Sequence, residues 1–308
     1  MATAVSAKSL TKKFGRREVL HGVDFAVEAG SVFGVIGPNG AGKTTTMRCL
    51  LDIIRPTSGV IRVLGTDPRA GGPGLRRRIG YLPGELFLAA RVTGRRLLSH
   101  YEAISGPVPR GRVDELAERL GLDLDSHTRK LSKGNKQKLG LVQAFMHQPE
   151  LLVLDEPTSG LDPLVQQEFH AMVREARHRG QTIFLSSHVL SEVQQTADTV
   201  AILRDGRIIA VESVSGLREG AVRRVRFTTS GMAAHDAVAL LAGVPGVGRV
   251  KVLESDGTAT LSATLEGDIQ PLVRMLASLP LTDLVLEEPD LEVAVLKMYS
   301  SPQEEAAP

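Results

Sequence analysis

Residues 37–44 read GPNGAGKT. Before them, GSVFGVIG at 30–37 is a short apolar run ending in glycine, and after them KTTTMRCLLDII at 43–54 repeats its apolar residues at helical spacing until Arg55-Pro56 stops it. Strand, glycine-rich turn and helix form the setting in which G-x-x-x-x-G-K-[ST] holds phosphates. Gly37, Gly40 and Gly42 let backbone N–H groups turn inward on β- and γ-phosphates, and the helix beginning near Lys43 adds the positive end of its dipole. Lys43 reaches the same phosphates and the Thr44 hydroxyl ligates Mg²⁺. Gly37, Pro38, Asn39, Gly40, Ala41, Gly42, Lys43, Thr44 and Thr45 are therefore the candidate nucleotide contacts.

The run LLVLDEP (151–157) reads as a strand buried on both faces of a parallel sheet. It ends in Asp155-Glu156, which places two carboxylates at the C-terminal sheet edge, where α/β folds bind ligands. Asp155 suits Mg²⁺, and Glu156 suits orienting and deprotonating an attacking water. A second such strand, TIFLSS (182–187), is followed by His188, whose imidazole is expected at the same edge.

Further strands are expected at 18–28, 59–64 and 78–82, and helices at 92–104, 112–121 and 135–147 form a helical subregion of about 90–147 inside the α/β pattern. Helices follow near 163–179 and 189–197, with a hairpin around Asp205-Gly206 in TVAILRDGRIIAVE. After about residue 215 the pattern changes. Strands at 222–229, 248–254, 258–266 and 281–288 and helices near 233–242 and 268–278 give the order βαββαβ, with Asp256-Gly257 as a turn. That is the ferredoxin-like order of a small α+β domain, assigned to 216–300 beside an α/β domain at 1–215. A last helix is expected at 290–299, and the tail 301–308, SPQEEAAP, is expected to be disordered.

The 308 residues leave room for one large domain and an appendage. Lys plus Arg is 37 and Asp plus Glu 35, too balanced to advertise nucleic acid or an anionic membrane as the main partner. Cys49 stands alone, which excludes an internal disulfide framework and suits a small buried thiol. No apolar run approaches the ~18–20 residues of a membrane-spanning helix, and Met1–Leu10 lacks the apolar core of a secretory signal. The chain is expected in the cytoplasm, reaching a membrane only by docking on another protein.

Across residues 5–215 the chain resembles the nucleotide-binding subunit of an ABC transporter. GPNGAGKT (37–44) looks like Walker A, LSKGN (131–135) like the signature motif, LLVLDEP (151–157) like Walker B, SGLD (159–162) like the D-loop and SSH (186–188) like the switch histidine. The resemblance implies a P-loop ABC ATPase domain with a mixed sheet, ATP and Mg²⁺ as ligands, and Glu156, His188 and Lys43 as catalytic residues. Phe14, in KKFG upstream of the first strand, matches the aromatic position that stacks on adenine. The family's head-to-tail dimer sandwiches each ATP between one copy's Walker A and the other's signature, which here offers Ser132, Gly134 and Asn135, with Asp162 in the D-loop. One Walker A and one signature in the chain imply a homodimer or a paralogous partner.

Two departures stand out. Lys133 and Asn135 replace a glycine and the glutamine of the common L-S-G-G-Q, and Gly84, in YLPGE, stands where most of the family has a glutamine reaching Mg²⁺ and water. The resemblance is to bacterial drug-resistance ATPases, which implies export through a separate permease of ABC-2 type, docked near residues 85–105. A soluble ABC protein acting on ribosomes or DNA is the rival reading. It is disfavoured because the chain has neither a second ATPase domain nor a long inserted coiled coil, and retained Glu156 and His188 argue against a subunit that binds ATP without hydrolysing it.

Overall fold

The computed structural model describes residues 2–86, 91–219, 222–254 and 258–287. The chain begins with an antiparallel pair, β1 (Thr3–Phe14) and β2 (Arg17–Glu28), after which β3 (Val32–Ile36) runs into α1 (Lys43–Leu50). Next come β4 (Ser58–Val63), α2 (Pro68–Arg77) and β5 (Ile79–Leu82), and then three helices, α3 (Gly94–Ser105), α4 (Arg112–Arg119) and α5 (Lys133–Phe145). The alternation resumes with β6 (Leu151–Asp155), α6 (Pro163–His178), β7 (Thr182–Ser187), α7 (Leu190–Gln194), β8 (Thr199–Arg204) and β9 (Arg207–Ser213). These elements make up a first unit, Met1–Ser213.

One sheet has the strand order β5-β6-β7-β3-β8-β9 and a second, antiparallel, has β2-β1-β4. From β5 to β8 all neighbours in the larger sheet are parallel, and every residue of β3, β6 and β7 is buried. Cover on both faces is the reason these segments read as unbroken apolar runs. β9 turns back on β8 through Asp205 and Gly206, whose φ angles of 46° and 73° suit a two-residue hairpin. Phe25 of β2, Phe33 of β3 and Phe184 of β7 cluster with centroids 5.5 to 5.8 Å apart and fasten one sheet to the other. Burying rings of this size stabilises by about 1.5–3 kcal/mol each.

The sequence reading needs three corrections here. Phe14 is not upstream of the first strand but closes β1, a 12-residue strand. Its alternation is masked by Lys8, Lys12 and Lys13 and broken by register shifts around Ser9, which has φ 48°. The helix expected to reach residue 54 ends at Leu50, because Asp52 turns the chain with φ 54°. α2 was not expected, since PRAGGPGLRR carries three glycines and an internal proline, and Gly72 does kink it with φ 53°. It forms because Asp67 accepts a hydrogen bond from Arg69 N–H and Pro68 opens the first turn.

What positions the site is strand adjacency. β5, β6, β7 and β3 are consecutive in the sheet and parallel, so Pro83-Gly84, Glu156, His188 and the loop 37–42 all leave one edge, at strand C-termini.

The second unit, Val214–Pro308, is described by itself. It comprises α8 (Val214–Glu219), β10 (Arg223–Ser230), α9 (Ala234–Ala242), β11 (Val247–Glu254), β12 (Thr258–Leu265), α10 (Gln270–Leu276) and β13 (Leu281–Leu286). Its sheet order is β11-β12-β10-β13, with all neighbours antiparallel. Val225, Phe227, Leu261 and Leu265 alternate onto one face and bury against Ala237, Leu241, Leu272 and Leu276 of α9 and α10. The expected turn Asp256-Gly257, the helix 290–299 and the tail 301–308 lie outside the described residues.

Candidate active site

Between β3 and α1 the loop 37–42 can be built only with glycine at fixed places. Gly40 and Gly42 have φ of 85° and 113°, and a Cβ on Gly37 would stand 2.2 Å from Leu203 O. Pro38, Asn39 and Gly40 form an exposed crown, Ala41 and Gly42 are buried, and Thr44 and Thr45 in the first turn of α1 are partly exposed. Lys43 is only 5% exposed. Its ammonium crosses back under the crown, donating to Gly37 O at 2.7 Å and Pro38 O at 3.3 Å.

The same ammonium lies 3.4 Å from Glu156 Oε1, and Glu156 Oε2 lies 2.9 Å from His188 Nδ1. Lys43, Glu156 and His188 thus form one continuous chain of contacts along the sheet edge. Glu156 has φ 46°, a left-handed conformation that costs a side-chain-bearing residue about 1–2 kcal/mol. Its N–H donates to Ser186 Oγ at 3.1 Å and its carbonyl accepts from Gln137 Nε2 at 3.0 Å, and these bonds hold the strained residue in place.

Asp155 is 1% exposed. Its Oδ1 accepts the Ser186 hydroxyl at 2.6 Å, whereas Oδ2 is buried without a hydrogen-bond partner. A carboxylate oxygen left this way is costly unless something binds it. Gly84 faces that oxygen, and a Cβ there would be 3.3 Å away. Burial, and secondly the charge of Asp155, push the Tyr81 phenol above its usual range. The unpartnered Asp155 Oδ2 has the chemistry that suits a hard, oxygen-seeking divalent cation such as Mg²⁺, and Thr44, in the first turn of α1, carries a second oxygen of that kind. Cys49 is buried, with burial pushing its thiol up to about 11, which keeps it protonated and inert.

A second cluster sits at the start of α5. Ser132 caps that helix by accepting from Asn135 N–H at 3.2 Å, and Asp162 caps α6 by accepting from Val165 N–H at 3.1 Å. Gly134 packs on the chain at Gly160, whose carbonyl would lie 2.7 Å from a Cβ, and Lys133 Nζ donates to Ser159 Oγ at 3.1 Å. Ser132 and Asp162 thus cap their own helices, Gly134 and Lys133 join the start of α5 to the turn at Ser159 and Gly160, and among the described residues these groups show no hydrogen bond to the loop 37–44. Phe14 is 49% exposed at the end of β1, with the Lys12 ammonium 4.8 Å from its ring centroid. Gln137 and Ser186 were missed from sequence. For Gln137 the signal was a polar residue on the apolar stripe it shares with Leu141 and Phe145.

Walker-type loop, parallel sheet and paired carboxylates at the strand ends together define a P-loop nucleoside triphosphatase. Residues 20–159 match the family described as ABC transporter. The chain is 39% identical over 212 residues to the bacitracin transport ATP-binding protein BcrA of Bacillus licheniformis, covering 68% of this chain and 69% of that one. It is 37% identical over 221 residues to the daunorubicin resistance ATP-binding protein DrrA3 of Streptomyces coeruleorubidus, covering 70% of each. Among solved structures it is similar to an ATP binding subunit of an ABC transporter, with TM-score 0.65, 31% identity, and coverage of 70% of this chain and 92% of that one. The fold also matches the ATP-binding cassette MJ0796 in a dimeric post-hydrolysis state, with TM-score 0.61, 21% identity, and coverage of 68% and 98%. The chain belongs to the ABC transporter family as an ATP-binding, ATP-hydrolysing subunit.

Proposed function

We propose that this ATPase powers a separate membrane permease of ABC-2 type in an exporter, working on the cytoplasmic face as a head-to-tail homodimer. The observation that carries the catalytic part is the chain Lys43–Glu156–His188 beside the unpartnered Asp155 Oδ2. In this reading Lys43 and the loop N–H groups bind the β- and γ-phosphates, and Thr44 and Asp155 hold Mg²⁺, which when bound neutralises phosphate charge. Glu156 orients the attacking water and takes its proton, while His188 holds the Glu156 carboxylate and faces the γ-phosphate. Phe14, exposed, stacks on adenine. Ser132, Gly134 and Asn135 serve the partner copy's ATP, with Asp162 at the junction. Support for export comes from relatives named for bacitracin transport and daunorubicin resistance. Among the described residues no helix is long and apolar enough to cross a membrane, and in this reading the permease supplies the passage.

Gly84 offers a direct test of the metal site. Its φ is not left-handed, so alanine is conformationally admissible, but the new Cβ meets Asp155 Oδ2 at 3.3 Å. Asp155 is pinned by Ser186, so the carboxylate shifts by a few tenths of an ångström or the turn does. Gly84→Ala is expected to lower Mg²⁺-dependent turnover about three- to tenfold. A Mg²⁺ titration of ATPase activity checks it, and a wild-type curve would detach this turn from the metal.

We further propose that the ATPase domain spans 1–215, with its helical subdomain at about 90–147, and that 216–300 form a ferredoxin-like domain acting as a second dimer contact. The order βαββαβ with strands β11-β12-β10-β13 supports the fold assignment. Ending the chain at residue 215 is expected to abolish self-association in the absence of nucleotide while leaving ATP-driven association intact. Sedimentation velocity with and without ATP measures both, and unchanged nucleotide-free association would remove the dimer role.

A further inference from the structure

Glu192, on α7, touches neither the phosphate loop nor the Glu156 carboxylate, yet it joins the segments that carry the catalytic groups. One of its oxygens, Oε2, accepts from Thr158 Oγ1 at 2.7 Å and from Ser187 Oγ at 2.7 Å. Both hydroxyl residues are buried, at 5% and 3% exposure. Thr158 lies two residues after Glu156, and Ser187 ends β7 immediately before His188. The Ser187 oxygen also accepts from Val189 N–H at 2.9 Å, so the chain entering and leaving His188 is held from one hydroxyl. With His188 Nδ1 2.9 Å from Glu156 Oε2, the path closes into a ring: Glu156, Thr158, Glu192, Ser187, His188 and back to Glu156.

A carboxylate only accepts, and bonds from hydroxyls to it are among the stronger hydrogen bonds of a protein interior. Removing it leaves two buried donors unpaired in two different turns, each then free to seek another partner. α7 has only five residues and is held through the buried Leu190 and Val193, neither of which reaches the two hydroxyls. We infer that Glu192 is a positioning residue: it ties the turn after Glu156 to the turn carrying His188 and thereby sets the His188–Glu156 contact. The inference rests on the reading of those two residues as the catalytic pair.

The predicted signature is a loss of turnover without a loss of binding. In the full-length chain, Glu192→Ala is expected to lower kcat for ATP about tenfold or more and to leave nucleotide affinity within about twofold. Glu192→Gln, whose amide oxygen still accepts both hydroxyls, is expected to restore kcat to within about threefold of wild type. Thr158→Val removes one donor without changing shape and is expected to lower kcat about threefold alone and not further in the Glu192→Ala background. A wild-type kcat in Glu192→Ala, an equal fall in affinity, or a full additional effect of Thr158→Val in that background would each overturn the inference. If Glu192→Ala fails to fold, Thr158→Val alone decides, and an unchanged kcat overturns it. Failure of the Glu156 assignment reads out separately, as turnover retained in Glu156→Gln.

Discussion

Glu156→Gln is expected to abolish ATP turnover, by at least about 100-fold, and to leave the protein loaded with ATP. Glutamine keeps the length of the side chain and can accept from Lys43 and meet His188 through its amide. The backbone of residue 156 is held by Ser186 and Gln137, not by its carboxylate, so the left-handed turn persists. What disappears is the proton acceptor. With hydrolysis blocked and the phosphates still bound, the ATP-bound dimer accumulates. Steady-state phosphate release should fall to background while sedimentation in ATP shows a stable dimer. Wild-type turnover in this variant would refute Glu156 as the base.

What could be read from the sequence follows from where the physics is local. The loop 37–42 was legible because its backbone geometry admits glycine at set offsets: left-handed φ at Gly40 and Gly42, and no room for a Cβ at Gly37. β6 and β7 were legible because strands buried on both faces leave no polar interruptions. The starts of α5 and α6 could be placed within about two residues because apolar periodicity is a local signal; the caps Ser132 and Asp162 that fix them act within three residues of themselves.

The rest depends on register between distant segments. Ser186 reaches Asp155 because β6 and β7 pair with those two residues side by side, a match that nothing in TIFLSS announces. Gln137 reaches Glu156 and Pro157 from a helix nearly twenty residues earlier. Gly84 could be marked from sequence as a missing ligand, but not as a residue whose Cβ would press on a buried, unpartnered carboxylate oxygen. β1 escaped because bulges and lysines hide a strand whose burial comes from the strand pairing on either side of it.

Lys43→Ala should lose turnover as Glu156→Gln does but show the opposite binding behaviour, although the two side chains meet at 3.4 Å. The ammonium has three donors, and in the structure it holds the carbonyls of Gly37 and Pro38, both in the phosphate loop. Alanine therefore removes two things at once: the positive charge facing the phosphates and the bonds that hold the crown open over them. Losing a buried, hydrogen-bonded charge partner costs about 2–5 kcal/mol, which weakens ATP binding by at least about 30-fold. Turnover falls because nucleotide is absent, not because the base is. Titration with a fluorescent ATP analogue separates the cases: Glu156→Gln binds as wild type does, Lys43→Ala does not, and the double variant follows Lys43→Ala. Unchanged ATP affinity in Lys43→Ala would mean that the ammonium serves the loop alone, and the phosphate-binding role would pass to the backbone N–H groups and the start of α1.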